Sequence, residues 1–142
     1  GNFGLVGGGA AGTELDIVDT MLGSPPHTLV VATSAGRHTE GYLLVMEDYG
    51  FNQQGLDGTQ HPRVRSDIAY HETPNGGASF AFSSIAFCGA LPWNNGDNNI
   101  SKLVGNVLNR FMQDGPLPAP PPAAIMHRGR ADYDQPMNKS RK

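Results

Sequence analysis

Hydrophobic and polar positions alternate most regularly over Asp67–Leu91, DIAYHETPNGGASFAFSSIAFCGAL, the densest run of strand-forming residues in the chain. Thr73, Pro74, Asn75, Gly76 and Gly77 divide it into two arms. Asn-Gly and Gly-Gly supply the positive φ angles of tight hairpin turns, and Pro74 presets its own φ. On the second arm Ala78, Phe80 and Phe82 share one face, and Ile85 and Phe87 continue in the opposite phase. Strand alternation has period two, so the slip at Ser83–Ser84 predicts a bulge or bend there, with strand on both sides. Residues Cys88–Asn99 are polar and loop-like. Asn98–Gln113 then places Ile100, Leu103, Val104, Val107, Leu108 and Phe111 at helical spacing, which predicts a core-facing amphipathic helix capped by Asn98 or Asn99.

Upstream the pattern is shorter-ranged. Asn2–Val6 reads as a short strand entering the glycine-rich loop Gly7–Gly12. Thr13–Met21 reads as a short helix, with Thr13 as N-cap and Glu14 and Asp16 in its first turn. Gly23, Pro25 and Pro26 stop it. His27–Thr33 is a continuous apolar run, which predicts a strand buried on both faces. Ser34–Thr39 is a loop. Glu40–Met46 is a second strand or a short helix, and Tyr49–Arg65 is a long surface excursion. Strands closed by a polar loop and a helix give an α/β class. Gly115–Lys142 differs in kind: PLPAPPPAA is polyproline-like and cannot build a core, and the stretch after it is basic. The expected division is therefore 1–114, an α/β unit, and 115–142, a Pro-rich linker with a basic extended tail.

Composition narrows the function classes. The chain has 142 residues with only 38% hydrophobic and 16% charged, and 19 glycines with 11 prolines imply much irregular backbone. A net charge of −3 argues against a nucleic-acid or anionic-membrane surface. No run approaches the length of a membrane span. The single cysteine excludes an internal disulfide and fits a reducing, cytoplasmic setting. The first residues lack the basic region and cleavage site of a secretory signal. Opening at Gly1 within a strand pattern, without Met, leads us to expect a piece of a longer polypeptide.

Each candidate for chemistry has a plainer counterpart. GGGAAG matches G-x-G-x-x-G by letter at Gly7, Gly9 and Gly12, but it lacks a Walker Lys-Ser/Thr. Acids follow it where phosphate would sit, so a tight structural turn is the better reading. Cys88 lies in FCGAL without the Gly-x-Cys-x-Gly of a nucleophile elbow, and is expected to be a small buried residue on a sheet. His38 and Glu40 stand two apart, and on extended backbone they face one pocket, where a carboxylate orients a His or activates water. The alternative is a solvated loop. His71 and Glu72 alternate faces, so at most one serves a given site. No zinc or EF-hand spacing occurs.

Four stretches together, GGGAAGTELD at 7–16, LGSPPHTLVVATS at 22–34, ETPNGGASFAFSSIAFCGAL at 72–91 and DNNISKLVGNVLNRF at 97–111, resemble the C-terminal region of the N,N-dimethylformamidase large (β) subunit family. The resemblance covers about Gly1–Phe111. It implies the final portion of a glutamine-amidotransferase-like α/β domain, with a mixed or mainly parallel sheet, flanking helices and an extended Pro-rich C-terminal arm. It also implies hydrolysis of N,N-dimethylformamide to formate and dimethylamine. The family's mononuclear iron is held by two tyrosines and a carboxylate, with a His–Glu pair nearby to help activate water. The iron ligands are expected upstream of this segment, and Tyr42, Tyr49, Tyr70 and Tyr133 match no part of the iron motif. Of the pair, the Glu is the member this segment would supply: Glu40 first, Glu14 second, Glu72 third. Phe80, Phe82, Phe87 and Trp93 are either pocket wall or core. The sequence departs from the amidotransferase pattern in having neither a Cys elbow nor a closing His-x-Glu. Implied partners are the remainder of the large subunit, a small subunit, an oligomer of such heterodimers and a small amide, with no nucleic acid and no membrane. The competing reading is a non-catalytic assembly module.

Overall fold

The computed structural model describes residues 9–44 and 56–115. Three strands form one sheet: β1 (Leu29–Thr33), β2 (Asp67–Glu72) and β3 (Ala78–Ala81), in the order β1-β2-β3. Both pairings are antiparallel. This corrects the mixed or mainly parallel sheet of an amidotransferase-like domain. Parallel neighbours need a long crossover connection. Here β2 returns directly as β3 through residues 73–77, where the Thr73 amide donates to the Gly77 carbonyl (2.8 Å) and Gly76 takes φ +83°. β1 pairs with β2 through a bulge between Val30 and Ala32.

The hairpin forms where the alternation predicted it, and β3 shows the expected period-two burial, Ala78 and Phe80 inward, Ser79 and Ala81 outward. The phase slip is real but ends the strand. Ser83 adopts φ +58°, and the chain turns into a short helix, α1 (Ala86–Ala90), instead of more strand. Ile85 and Phe87, which a strand would place on one face, then separate: Ile85 is 61% exposed and Phe87 only 1%. The bend brings the Phe87 ring against Phe82, stacked at 4.2 Å. Phe87, Ala90 and Ile100 form the buried centre, with Ala10, Ile68, Phe82, Leu91, Leu103 and Val104 packed around it.

The long helix α2 (Asn99–Phe111) begins where expected. Asn98 caps it by accepting from the Ser101 amide (2.9 Å), and its own amide nitrogen donates to the carbonyls of Ala90, Leu91 and Trp93. One side chain thus starts α2 and fixes the end of α1 against it. Only the first half of the apolar stripe is covered: Ile100 is buried, whereas Leu108, Phe111 and Met112 are exposed.

Two upstream expectations fail. No helix forms over Thr13–Met21. Glu14 has φ +53°, and the backbone on either side is spent on other segments: the Asp16 amide donates to the Ser83 carbonyl (3.0 Å), the Ile85 amide to Thr13 (3.1 Å) and the Asp67 amide to Asp16 (3.0 Å). Only a 3-10 turn, Thr20–Leu22, follows, capped by Asp19. β1 is not buried on both faces either: among the described residues it pairs with β2 alone, and its residues from Val31 onward are exposed. Cys88 is exposed on α1, not buried on a sheet. The strand expected at Asn2–Val6, residues 49–55 of the 49–65 excursion and the Pro-rich stretch from Pro116 onward lie outside the described residues.

Candidate functional site

The most polar part of the interior lies where β1 ends and β2 begins. Arg65 and Asp67 stand two apart on extended backbone, so their side chains share a face. Both are buried, at 3% and 1% exposure. Arg65 Nε and Nη2 reach the Asp67 carboxylate at 2.9–3.0 Å, and Nη1 donates to the Pro62 carbonyl at 2.8 Å. The carboxylate also accepts from Thr33 Oγ1 (2.7 Å) and the Val18 amide (3.1 Å). A buried carboxylate survives in such a place only when charge and hydrogen bonds surround it, as here. Arg63, two residues before Arg65, pairs with Asp19 (3.2 Å).

This polar centre anchors the loop that leaves β1. The Ser34 amide donates to the Ser66 carbonyl (3.0 Å), and the Ser66 amide donates back to Ser34 Oγ (2.8 Å). Ser34 Oγ also lies 2.7 Å from His38 Nε2. His38 is buried, and that burial pushes its pKa below 6.5. Its ring packs 4.7 Å from Tyr42. Gly58 closes the other side: a Cβ there would lie 2.6 Å from His38 Cβ and 2.7 Å from the Thr39 carbonyl oxygen. The far end of the loop is held by the Gly58 amide on the Tyr42 carbonyl and the Leu44 amide on the Leu56 carbonyl, both 2.7 Å. Asp57, bridged to Leu43, accepts from the Thr59 hydroxyl and amide and from Gln60, and the Thr59 bonds foremost hold its carboxyl below the usual range.

Against this frame the three candidate carboxylates fall in different places. Glu40 is exposed, in a turn closed by the Tyr42 amide on the Thr39 carbonyl (3.2 Å). Residues 39–42 form a turn at the start of the Glu40–Met46 strand or short helix expected from the sequence, whose last two residues lie outside the described ones, and the extended geometry that would aim His38 and Glu40 at one pocket is not adopted: His38 turns inward and Glu40 outward. Glu14 is exposed on the backbone with φ +53°. Glu72, half-buried on β2, accepts from the Tyr70 hydroxyl (3.3 Å), and burial, then the Glu72 charge, raises the pKa of that phenol. His27 Nε2 bonds the Glu72 carbonyl (2.9 Å) with its ring edge-on to His71. Phe82 stacks on Phe87 in the core, Phe80 meets Phe82 edge-on, and Trp93 is exposed. Among the described residues no group of three His, Cys, Asp or Glu side chains is placed to hold a metal ion, and no helix is long and apolar enough to cross a membrane.

Sequence reasoning weighed His38 but not the residues that hold it. Arg65 sat in a presumed surface excursion, and Ser34 and Ser66 gave no periodic signal. The available clue was the R-x-D spacing at the entry to a strand, which puts opposite charges on one face.

Comparison with known proteins agrees with the motifs. The family model described as N,N-dimethylformamidase beta subunit-like, C-terminal, matches residues 1–100. Among curated proteins, the N,N-dimethylformamidase beta subunit of an Alcaligenes species is 51% identical over 118 residues, and that of Paracoccus aminophilus is 50% identical over 118 residues. Each alignment covers 83% of this chain and 15% of the relative, so the chain spans a small part of the length of the proteins it matches.

Proposed function

Because the chain belongs to the N,N-dimethylformamidase beta subunit-like C-terminal family, we propose that it is the C-terminal part of an amide hydrolase that converts N,N-dimethylformamide to formate and dimethylamine. The observation that carries this reading is the identity of about half of all aligned positions to relatives named for that activity. In the reaction a water oxygen bonds to the formyl carbon, the C–N bond breaks, and the departing nitrogen takes a proton. A carboxylate that accepts the proton of the attacking water and returns it to nitrogen serves both halves.

Glu40 is the residue proposed for that role, with Glu14 second and Glu72 third. Support comes from its setting: an exposed carboxylate at the apex of a turn whose flanks are tied to a buried polar frame. Glu72 is already engaged by Tyr70. The mononuclear iron implied by the family is proposed to have its ligands outside this segment. The described residues do not fit a metal site of their own, so the chemistry proposed for this chain is that of its carboxylate. The test is Glu40→Gln in the intact protein. Formate release is expected to fall by about 10²–10⁴-fold, with metal content unchanged. Undiminished release in that variant removes Glu40 from the reaction.

The exposed Leu108, Phe111 and Met112 on and just beyond α2 favour a second, partly compatible reading as an assembly module. In that reading the face is covered by the remainder of the large subunit, in a cytoplasmic complex with a small subunit and further heterodimers. Placement of Glu14, Glu40 and Glu72 all far from the reacting centre of the assembled enzyme would leave only this reading.

A further inference from the structure

We infer that His38 is a positioning residue for the carboxylate of Glu40, acting through Ser34 and Tyr42; the inference rests on the role proposed for Glu40. Residues 34–44 leave β1 and are tied down at both ends, at Ser34 by the paired bonds to Ser66 and at Tyr42–Leu44 by the bonds to Gly58 and Leu56. Between those ends the loop must be held from within. His38 and Tyr42 stand two residues before and two residues after Glu40, and their rings meet at 4.7 Å. That contact, with the Tyr42 amide on the Thr39 carbonyl, closes the base of the turn whose apex is Glu40.

The His38 ring is fixed in turn by Ser34. Ser34 Oγ accepts from the Ser66 amide at 2.8 Å and donates to the Ser66 carbonyl at 3.5 Å. The 2.7 Å contact joins the neutral His38 ring to this pair through Nε2, with the donor set by the tautomer. Burial favours the neutral form. Gly58 lies so close to the ring stem that any side chain in its place would collide with His38 Cβ. The chain from Ser66 through Ser34 and His38 to Tyr42 thus sets where the Glu40 carboxylate stands, although His38 itself points away from it. A displacement on the order of 1 Å at a catalytic group costs about 10²-fold in rate, so a residue that only fixes the loop has a large kinetic effect.

The experiment is a kinetic cycle in the intact protein, reading formate release from N,N-dimethylformamide, with thermal melting as the fold check. His38→Ala is expected to lower kcat about 10- to 100-fold with KM changed little. His38→Gln, which offers an amide to Ser34 Oγ, is expected to recover most of that loss. In a Glu40→Gln background, His38→Ala is expected to add less than about twofold, because its effect passes through the missing carboxylate. Equal loss in both backgrounds, or full turnover in His38→Ala, overturns the inference. Should His38→Ala not fold, Ser34→Ala removes a single oxygen and is put through the same cycle with the same outcomes deciding. Full turnover in Glu40→Gln overturns the reading of Glu40 and this inference with it. An inactive Glu40→Gln beside a fully active His38→Ala overturns the role of His38 alone.

Discussion

At the scale of single residues, Asp67 and His38 show how burial sets both stability and its pH dependence. Asp67 neutralises Arg65 in a place where neither is hydrated, and it also anchors Thr33 and the Val18 amide. Asp67→Asn keeps the shape but strands the guanidinium charge, and the expected loss is about 3–5 kcal/mol, as for other buried pairs broken on one side. Thermal or urea unfolding of the intact protein measures it, and a loss below about 1 kcal/mol would mean that Arg65 finds water or another acceptor. His38 gives a signed prediction. Its folded pKa is lowered from 6.5 by burial. Below about pH 6.5 the unfolded chain takes up a proton that the folded protein resists, so stability falls as the pH drops through that value and toward the folded pKa. Melting temperatures taken between about pH 7.5 and about pH 5.5 should fall more steeply for the unmodified protein than for His38→Gln, which has nothing to titrate there. Parallel slopes would show that His38 protonates as readily folded as unfolded.

At the scale of elements, what could be read from the sequence depended on whether the deciding interaction was local. The Thr73–Gly77 turn, the two arms of the hairpin and α2 with its Asn98 cap are each specified within a few residues, and each formed where expected. Strand direction is not local: an apolar run at His27–Thr33 looks the same whether its neighbour runs parallel or antiparallel, and the pairing with β2 across the 34–66 connection decided it. The alternation at Ile85 and Phe87 misled because a turn at Ser83 and contact with Phe82 outweighed a two-residue pattern. Thr13–Met21 has helix-start signals, yet its backbone is claimed by Ser83, Ile85 and Asp67. The loop around His38 was only half legible: the HTE spacing marked it, but the inward turn of His38 depends on Ser34, Ser66 and Gly58, none of which is periodic. Asn98 is the element-level residue with the most distinct prediction. Asn98→Ala removes both the cap on Ser101 and three donations to the α1–α2 connection. The expected cost is about 2–3 kcal/mol, above the roughly 1 kcal/mol of an ordinary cap, read as a lowered melting temperature of the intact protein. A cost no larger than a cap alone would show that the Ala90, Leu91 and Trp93 carbonyls are satisfied by solvent.

At the scale of the whole molecule, the described residues bury few apolar side chains and expose many. Val64, Ala69, Phe87, Ala90 and Ile100 are the buried hydrophobics, and two of the five are alanines. Met21, Leu22 and Met112 are each more than 70% exposed, and Leu108 and Phe111 continue the open stripe of α2. The sheet leaves β1 and β3 with unpaired outer edges among the described residues. Hydrophobic burial has to outweigh the ordering of the whole backbone, and a centre of this size leaves little margin. The relatives are far longer than this centre, the alignment covering 15% of each. The 142-residue chain purified by itself is therefore expected to unfold over a broad temperature range, without a sharp cooperative transition, and to bind a hydrophobic dye strongly before heating. Calorimetry and dye fluorescence on that chain decide the matter. A narrow endotherm with weak dye binding would mean that residues 9–44 and 56–115 form a self-sufficient core, and the open face of α2 would then have to be explained as a docking surface on an already stable domain, not as the cut edge of a larger one.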